Sequence, residues 1–446
     1  MDDAPAVREK WMLQPEAIDT TRSLNVMRRA LFLSSFPIGV LTFAIPIFGP
    51  QVLKLNAVRV GELFSVYALM TLIMRPVAGW AMDRYGRRNF FLAGLAVQVM
   101  ASAFFAIGSS FDWLFWGRVL QGIAAGMIWL SAYAMTADLA ARGGRGNMFG
   151  AVEEMLARGG LYGVLVAVPF FARFSFNPFS FAFQIDAVGW TAVFVLYAAL
   201  AVIAFTIAFR YLPETYVRRA TQVKGNGSVI SMQLIVLAVI VFLTSTALRG
   251  LEPILLIYVQ DHFTTNLMII ALAYLPSALI FGFLQSRLGK VADRVGRKLP
   301  IAVGLVTSGT SSAILPSLPG LVPLLGTWTM VPLVGLWASE AAAFSAATPA
   351  EQALVADMSG RDKRGTAFGI YTLALSLGQV VGPLVGTQLY DNVSPSAPFY
   401  LNTVVLWLGA LLVALLIRDP WRQQPVAASL SAREPPPPQW PASGGQ

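Results

Sequence analysis

The 446-residue sequence has no cysteine and a single histidine, His262. The first absence excludes disulfides, thiolate catalysis and Cys-ligated metals. The second excludes a His-based zinc site or a His-containing catalytic triad within one chain. Charge is scarce too. Only 12% of residues are charged and 56% are hydrophobic, too little charge to cover the surface of a soluble protein of this length. No Gly-x-x-x-x-Gly-Lys-Ser/Thr loop is present, which argues against an ATP-driven machine. Neither a catalytic constellation nor a cofactor motif stands out, so an enzyme, a cofactor and a metal are not expected.

What is present are long apolar runs. A membrane-spanning helix needs about 20 mostly apolar residues. Runs of that kind fall near 30–53, 61–82, 89–109, 112–137, 147–172 and 188–210, and again near 229–259, 266–288, 299–317, 321–347, 366–390 and 398–417. The 38 Gly and 27 Pro fit such helices, which tolerate both residues. The predicted fold class is an all-α integral membrane protein with twelve transmembrane helices in two pseudosymmetric six-helix bundles. The expected organisation is a cytoplasmic N-terminal segment 1–29, a first bundle 30–210, a cytoplasmic linker 211–228, a second bundle 229–417 and a disordered cytoplasmic tail 418–446. The first apolar run is long enough to stay in the membrane as helix 1.

The net charge of +9 would suggest nucleic acid in a soluble domain. Its distribution points elsewhere. With the N-terminus in the cytoplasm, 25 of the 32 Lys and Arg fall in cytoplasmic segments, three (Lys54, Arg59, Arg173) in external loops and four (Arg75, Arg118, Arg158, Arg249) inside spans. That is the positive-inside pattern. Both termini are therefore expected in the cytoplasm of a cell (inner) membrane protein, with the lipid bilayer as partner and no nucleic acid.

The halves repeat. Gly79-Trp-Ala-Met-Asp83-Arg84-Tyr-Gly86-Arg87-Arg88 follows span 2, and Gly289-Lys-Val-Ala-Asp293-Arg294-Val-Gly296-Arg297-Lys298 follows span 8 in the same register, 210 residues on. A second repeat carries Ala137-Asp138 and Arg145-Gly146-x-x-Phe149-Gly150 between spans 4 and 5. Its copy is Ala356-Asp357 and Arg364-Gly365-x-x-Phe368-Gly369, between spans 10 and 11. Duplicated halves are a known transporter design, with the substrate site at their interface.

With these motifs the chain resembles the major facilitator superfamily of secondary transporters. The Gly-x-x-x-Asp-Arg-x-Gly-Arg-Arg loop resembles that family's signature, and Gly117-Arg118-Val-Leu-Gln121-Gly122 resembles the Arg-x-x-Gln-Gly motif of its proton-coupled members. The proline-containing glycine motif usual in helix 5 of the family's drug exporters is not there. Gly159, Gly160 and Gly163 stand without it, and the nearest match, Gly378, Gly382-Pro383 and Gly386, lies in span 11. The resemblance implies a monomer that moves a small-molecule substrate by alternating access, coupled to protons, and exports drugs or metabolites. Facilitative or symport uptake of a small organic metabolite stays open, as does a non-transporting receptor or scaffold.

Physical reasoning singles out two sets of residues. The loop motifs read as a gating latch. Asp83 is expected to face Arg364 at the start of helix 11, and Asp293 to face Arg145 at the start of helix 5, with Gly79, Arg84, Gly86, Arg87, Arg88, Gly289, Arg294, Gly296 and Arg297 completing it; carboxylates favour helix N-termini and Arg forks. The second set is the charge inside the spans, which costs roughly 2.5–3.5 kcal/mol per residue on insertion scales. Arg118 has Gln121 one turn on. Arg249 and Glu252, at i, i+3, and Glu154 and Arg158, at i, i+4, are spaced to pair on one helix face. Glu340 in span 10 has no basic residue within a turn, and a carboxylate without a partner in a dry cavity is a candidate proton carrier. Trp129 and Trp337, on spans 4 and 10, are candidate cavity aromatics, whereas Trp80, Trp113, Trp116 and Trp190 are expected at the membrane interface.

Because the chain has no cysteine, topology can be read with single introduced thiols. A cysteine at Ser110 is expected to react with an impermeant reagent from outside, and one at Asn226 to be shielded; the reverse labelling would overturn the orientation.

Overall fold

The computed structural model describes residues 20–108, 110–139, 145–174, 181–183, 187–215, 232–284, 295–358 and 364–417. They form twelve helical rods. In the first half these are α1 (Thr20–Ser34 continued by Phe36–Val52), α2 (Ala57–Tyr85), α3 (Arg87–Ile107), α4 (Phe111–Leu139), α5 (Arg145–Phe171) and α6 (Ala187–Tyr211). In the second half they are α7 (Met232–His262), α8 (Leu267–Phe283), α9 (Lys298–Ile314), α10 (Met330–Met358), α11 (Arg364–Asn392) and α12 (Ala397–Leu416). Among the described residues, ten apolar spans are long enough to cross a membrane on length and hydropathy alone. The two rods outside that count are α5 and the 17-residue α8. Helices suit this setting because hydrocarbon offers no partner for backbone N–H and C=O groups. A short antiparallel pair, Ala172–Phe174 with Phe181–Phe183, connects α5 to α6.

Local chemistry explains the irregular points. α1 starts at Thr20, while the apolar run starts at Ala30, because Leu24, Val26 and Met27 are buried and extend the helix with an amphipathic turn. It breaks at Ser35, just before Pro37, whose ring cannot continue the helical hydrogen bonding. The hydroxyls of Ser34 and Ser35 both donate to the Leu31 carbonyl, at 3.0 and 2.6 Å, which also accepts from the Ser35 amide at 3.1 Å. Asn56 and Asn266 cap α2 and α8 by accepting from the amides of Arg59 and Met268. Span 10, expected from residue 321, begins as α10 only at Met330. Pro319, Pro323 and Gly326 turn the intervening chain into 3-10 segments and one helical turn, Val322–Leu325.

The halves pack alike. In the first, α1 packs on α5 and α6, α4 on α2 and α3, and α3 on α6; in the second, α7 packs on α11 and α12, α10 on α8 and α9, and α9 on α12. The α1–α5 and α7–α11 crossings bring backbone against backbone. A Cβ at Gly163 would lie 2.2 Å from the Phe36 carbonyl oxygen, and one at Gly386 would lie 2.1 Å from that of Gly250. The glycines of helix 5 and the Gly-Pro row of helix 11 therefore serve the same purpose, with or without the proline.

The two ends of the bundle differ. Call the end holding the 2–3 and 8–9 loops the motif end. At the opposite, far end, one buried core crosses both halves, joining Ile45, Phe48, Val60 and Trp190 to Ile254, Tyr258, Trp337 and Phe399. Gln51 donates to Gln260 at 2.7 Å, and the amide of Val58 to Asp391 at 3.0 Å, across the same seam. At the motif end the described core is three separate clusters, two within the first half and one within the second, and none of them crosses between the halves. One seam reaches deeper than the other: α2 packs on α11 as far as Arg75, which donates to the Thr372 carbonyl at 2.9 Å. On the opposite side α5 and α8 touch sparsely, with Arg158 over the Phe283 ring at 5.1 Å.

Replacing Gly386 by Ala is expected to cost about 1–3 kcal/mol of stability by overpacking the crossing, read as a lower unfolding temperature in detergent. Gly335→Ala, where a Cβ meets nothing within 4 Å, is expected to leave it unchanged or raise it. Equal effects would contradict the backbone-contact account.

Candidate functional site

Arg118 lies on α4 and is 3% exposed. Its guanidinium donates to Gln121 at 2.9 Å and stands over the rings of Phe64 and Tyr67, at 4.9 and 5.2 Å. Its Nε, the Gln121 Nε2 and the Tyr67 hydroxyl are buried without hydrogen-bond partners, and among the described residues no carboxylate is within ion-pair distance. Buried donors of this kind imply water or a ligand acceptor. Glu252 on α7 lies within electrostatic reach of both Arg118 and Tyr67, so the site spans the two halves.

The spacing-based pairs form as expected. Arg249 and Glu252 meet at 3.0 Å, and Arg158 pairs with Glu154. Glu340 differs: its described partner is the Ser308 hydroxyl of α9, which donates to it. Glu340 and Glu252 line one cavity of about 120 Å³ with Ser311, Ser312, Trp337 and Phe399, between α7, α9, α10 and α12. Trp337 is 4% exposed, packs edge-on against Tyr274 at 6.1 Å and has an unpartnered Nε1. Trp129 is not part of this centre; it packs with Tyr133 on the motif-end core of the first half, three helical turns from Arg118. Trp190, expected at the membrane interface, is 1% exposed, stacks on Phe48 at 4.2 Å and donates to the Phe105 carbonyl at 2.9 Å. A buried indole is satisfied by such a carbonyl, which composition alone does not reveal.

The internal repeat relates the two halves of the site. The offset of 219 between Asp138 and Asp357, and between Arg145 and Arg364, places Trp337 at the position of Arg118 and Glu340 at that of Gln121. One half thus carries a fixed cation with an amide, and the other carries a carboxylate with an indole, at equivalent depth.

At the motif end, Gly86 and Gly296 hold equivalent left-handed turns, with φ of +85° and +95°. That conformation suits glycine. Arg87 pairs with Asp138 at the end of α4 and also reaches the Ala134 carbonyl. Arg88 donates to the carbonyls of Leu212 and Phe209, each at 2.6 Å. Arg84 is exposed over the rings of Trp80 and Tyr85. Glu214, unremarked in the sequence because it lies in a polar linker, accepts from the Arg87 and Arg88 amides at 3.1 and 3.2 Å; a carboxylate there caps the positive end of α3. Arg297 precedes the first turn of α9. The side chains of Asp83, Arg145 and Arg364, and all of Gly289, Asp293 and Arg294, lie outside the described residues, as do any side-chain contacts near Gly79. The cross-half contacts expected of Asp83 and Asp293 therefore lie outside the described structure. What is described of the latch motif ties α3, α4 and α6 together within the first half.

A second carboxylate that sequence reasoning passed over is Glu351, three turns from Glu340 on α10, which accepts from the Tyr371 hydroxyl at 3.1 Å. Only the spacing of eleven, which returns to the same helix face, could have drawn attention to it.

The model of the Major Facilitator Superfamily matches residues 30–339 and 237–442. The chain belongs to this superfamily. As a major facilitator it is a multi-pass membrane transporter of small molecules in the lipid bilayer, and not an enzyme. Multidrug resistance protein 2 of Bacillus subtilis (strain 168) is 25% identical over 86% of this chain and 92% of its own length. The class G Tetracycline resistance protein of Vibrio anguillarum is 25% identical over 83% and 88%, and the human Chromaffin granule amine transporter 26% identical over 85% and 69%. Among solved structures, a POT family transporter in complex with 5-aminolevulinic acid superposes with a TM-score of 0.72 at 11% identity, over 88% of this chain and 96% of that one. This shows that the fold is shared.

Proposed function

We propose that this major facilitator is a proton-coupled exporter of small organic solutes that works as a monomer in the cell (inner) membrane, with both termini cytoplasmic. The bundles are 30–210 and 229–417, and the 211–228 linker joins them on the cytoplasmic side. The names of the relatives, multidrug and tetracycline resistance proteins, support export. The positive-inside count supports the orientation, with the motif end on the cytoplasmic side. On that orientation, the continuous far-end core and the divided motif-end core correspond to a state open inward. Asp83 with Arg364, and Asp293 with Arg145, would close the motif end when the transporter turns outward. Glu154 with Arg158 and Arg249 with Glu252 are already paired within their own helices.

The observation that carries the coupling is Glu340. It is a carboxylate deep in a helix, held by a hydroxyl, in a cavity shared with a carboxylate that already has its cation. A charge without a counter-charge is costly there, and a proton removes it. Arg118, on the equivalent helix of the other half, sets the field against which that proton leaves, acting on Glu252 and through it on the cavity.

The test is flux in proteoliposomes. Glu340→Gln is expected to abolish accumulation driven by an imposed pH gradient while keeping counterflow exchange of the same solute, and Arg118→Ala to weaken coupling at least tenfold. Full gradient-driven accumulation by Glu340→Gln would contradict the assignment. Wild-type flux indifferent to the gradient would remove proton coupling for the whole protein.

A further inference from the structure

The cavity between α7, α9, α10 and α12 has a composition that proton binding does not use up. Its polar lining is Glu252, Glu340, Ser311, Ser312 and Trp337. Apart from the indole N–H these groups offer only oxygen, the donor type that hard cations take. Ser311 and Ser312 are each 4% exposed. Ser312 accepts from Asn402 at 2.7 Å, which leaves its second lone pair for another partner.

Charge and size then narrow the occupant. Glu252 is balanced by Arg249, whereas Glu340 has a neutral hydroxyl; the cavity therefore calls for one positive charge. A volume of about 120 Å³ holds about four water molecules at ~30 Å³ each, well short of the roughly 300–1,000 Å³ of pockets that enclose drug-sized ligands. The buried, unpartnered Trp337 N–H lines the same space and needs an acceptor, which a water in an ion's shell supplies.

The groups facing Glu340 leave room for such an ion. From α7 they are Arg249 and Glu252, already paired. From α8 it is Tyr274, stacked edge-on to Trp337. From α9 they are the hydroxyls of Ser308, Ser311 and Ser312, and from α12 the neutral Phe399 and Asn402. On α10 itself, Glu351 lies three turns away and is engaged by Tyr371 of α11. No cation among these is free to neutralise Glu340.

We propose that this cavity is a binding site for a small alkali cation, which competes with the proton for Glu340. The inference rests on the reading of Glu340 as a protonatable carboxylate and adds a second ion to the same site. Ion and proton would then exclude one another, so the cytoplasmic alkali ion would help expel the proton before the next cycle.

Thermal unfolding of the purified full-length protein in detergent tests this. Choline chloride is replaced at constant ionic strength by sodium, potassium or methylammonium chloride, over a pH series. Sodium or potassium is expected to raise the unfolding midpoint saturably, since only ligands of the folded state stabilise it. The apparent Kd should rise, by up to about tenfold per pH unit, as protons compete at lower pH. Glu340→Gln should abolish the effect. Ser311→Ala should weaken ion binding at least tenfold while leaving the midpoint in choline close to wild type, which keeps the test decisive if the Glu340 variant folds poorly. Alkali salts indistinguishable from choline at every pH would overturn the proposal, as would an alkali effect that survives both substitutions. Stabilisation by methylammonium alone would also overturn it and make the cavity a subsite for an ammonium group. The gradient-driven flux of Glu340→Gln is read separately, so an absent alkali effect with intact proton coupling refutes the ion and not the function.

Discussion

Moving a charged side chain from water into a hydrocarbon layer costs roughly 2.5–3.5 kcal/mol on insertion scales, and among the charged side chains inside these helices are Arg118, Glu154, Arg158, Arg249, Glu252 and Glu340. Four of them form two pairs, each within one helix. Arg118 spreads its charge over an amide and two ring faces. Glu340 has a serine hydroxyl. The fold brings these groups to one another, to ring faces or hydroxyls, or to a cavity. The unequal quality of their partners is what gives the centre a chemistry.

Internal duplication explains how that inequality arose in one scaffold. Both halves use the same helix contacts and the same glycine-mediated crossings, so equivalent positions come to equivalent depth. Arg118 with Gln121 and Trp337 with Glu340 then occupy matching places in the two halves. An arginine with an amide in one half has an indole with a carboxylate as its counterpart in the other. The loop motifs duplicate in the same manner, with Gly86 and Gly296 in the same left-handed turn. In the first half that loop is fastened by Arg87–Asp138 and by Glu214, which ties the start of the inter-half linker to the N-terminus of α3.

Much of this was legible in the sequence wherever one helix fixes the geometry. Spacings of three and four determined Arg118–Gln121, Arg249–Glu252 and Glu154–Arg158, because neighbours on a helix face need no tertiary information. Contacts between helices were not legible. Ser308 is one hydroxyl among several on α9, and only the α9–α10 crossing brings it to Glu340. Glu214 reads as a linker charge until α6 returns the chain to α3. Trp190 reads as an interface residue until Phe48 and the Phe105 carbonyl enclose it. The start of α1 moved outward for a related reason: Leu24 and Met27 are apolar on one face only, a weak hydropathy signal that packing makes decisive. The asymmetry between a joined far end and a divided motif end has no sequence counterpart, because both seams are lined by similar apolar residues.

The central claim is that this division changes as Glu340 takes up and releases its proton. Double spin labelling on the naturally cysteine-free chain tests it most directly, with one pair at Asn89 and Leu299 on the motif end and another at Ile107 and Leu324 on the far end, all exposed positions. Distances would be measured in nanodiscs across a pH series. The account predicts that the two distances change in opposite directions with pH, and that both become independent of pH in Glu340→Gln. Distances that do not respond to pH in the wild type, or that respond identically in Glu340→Gln, would contradict it.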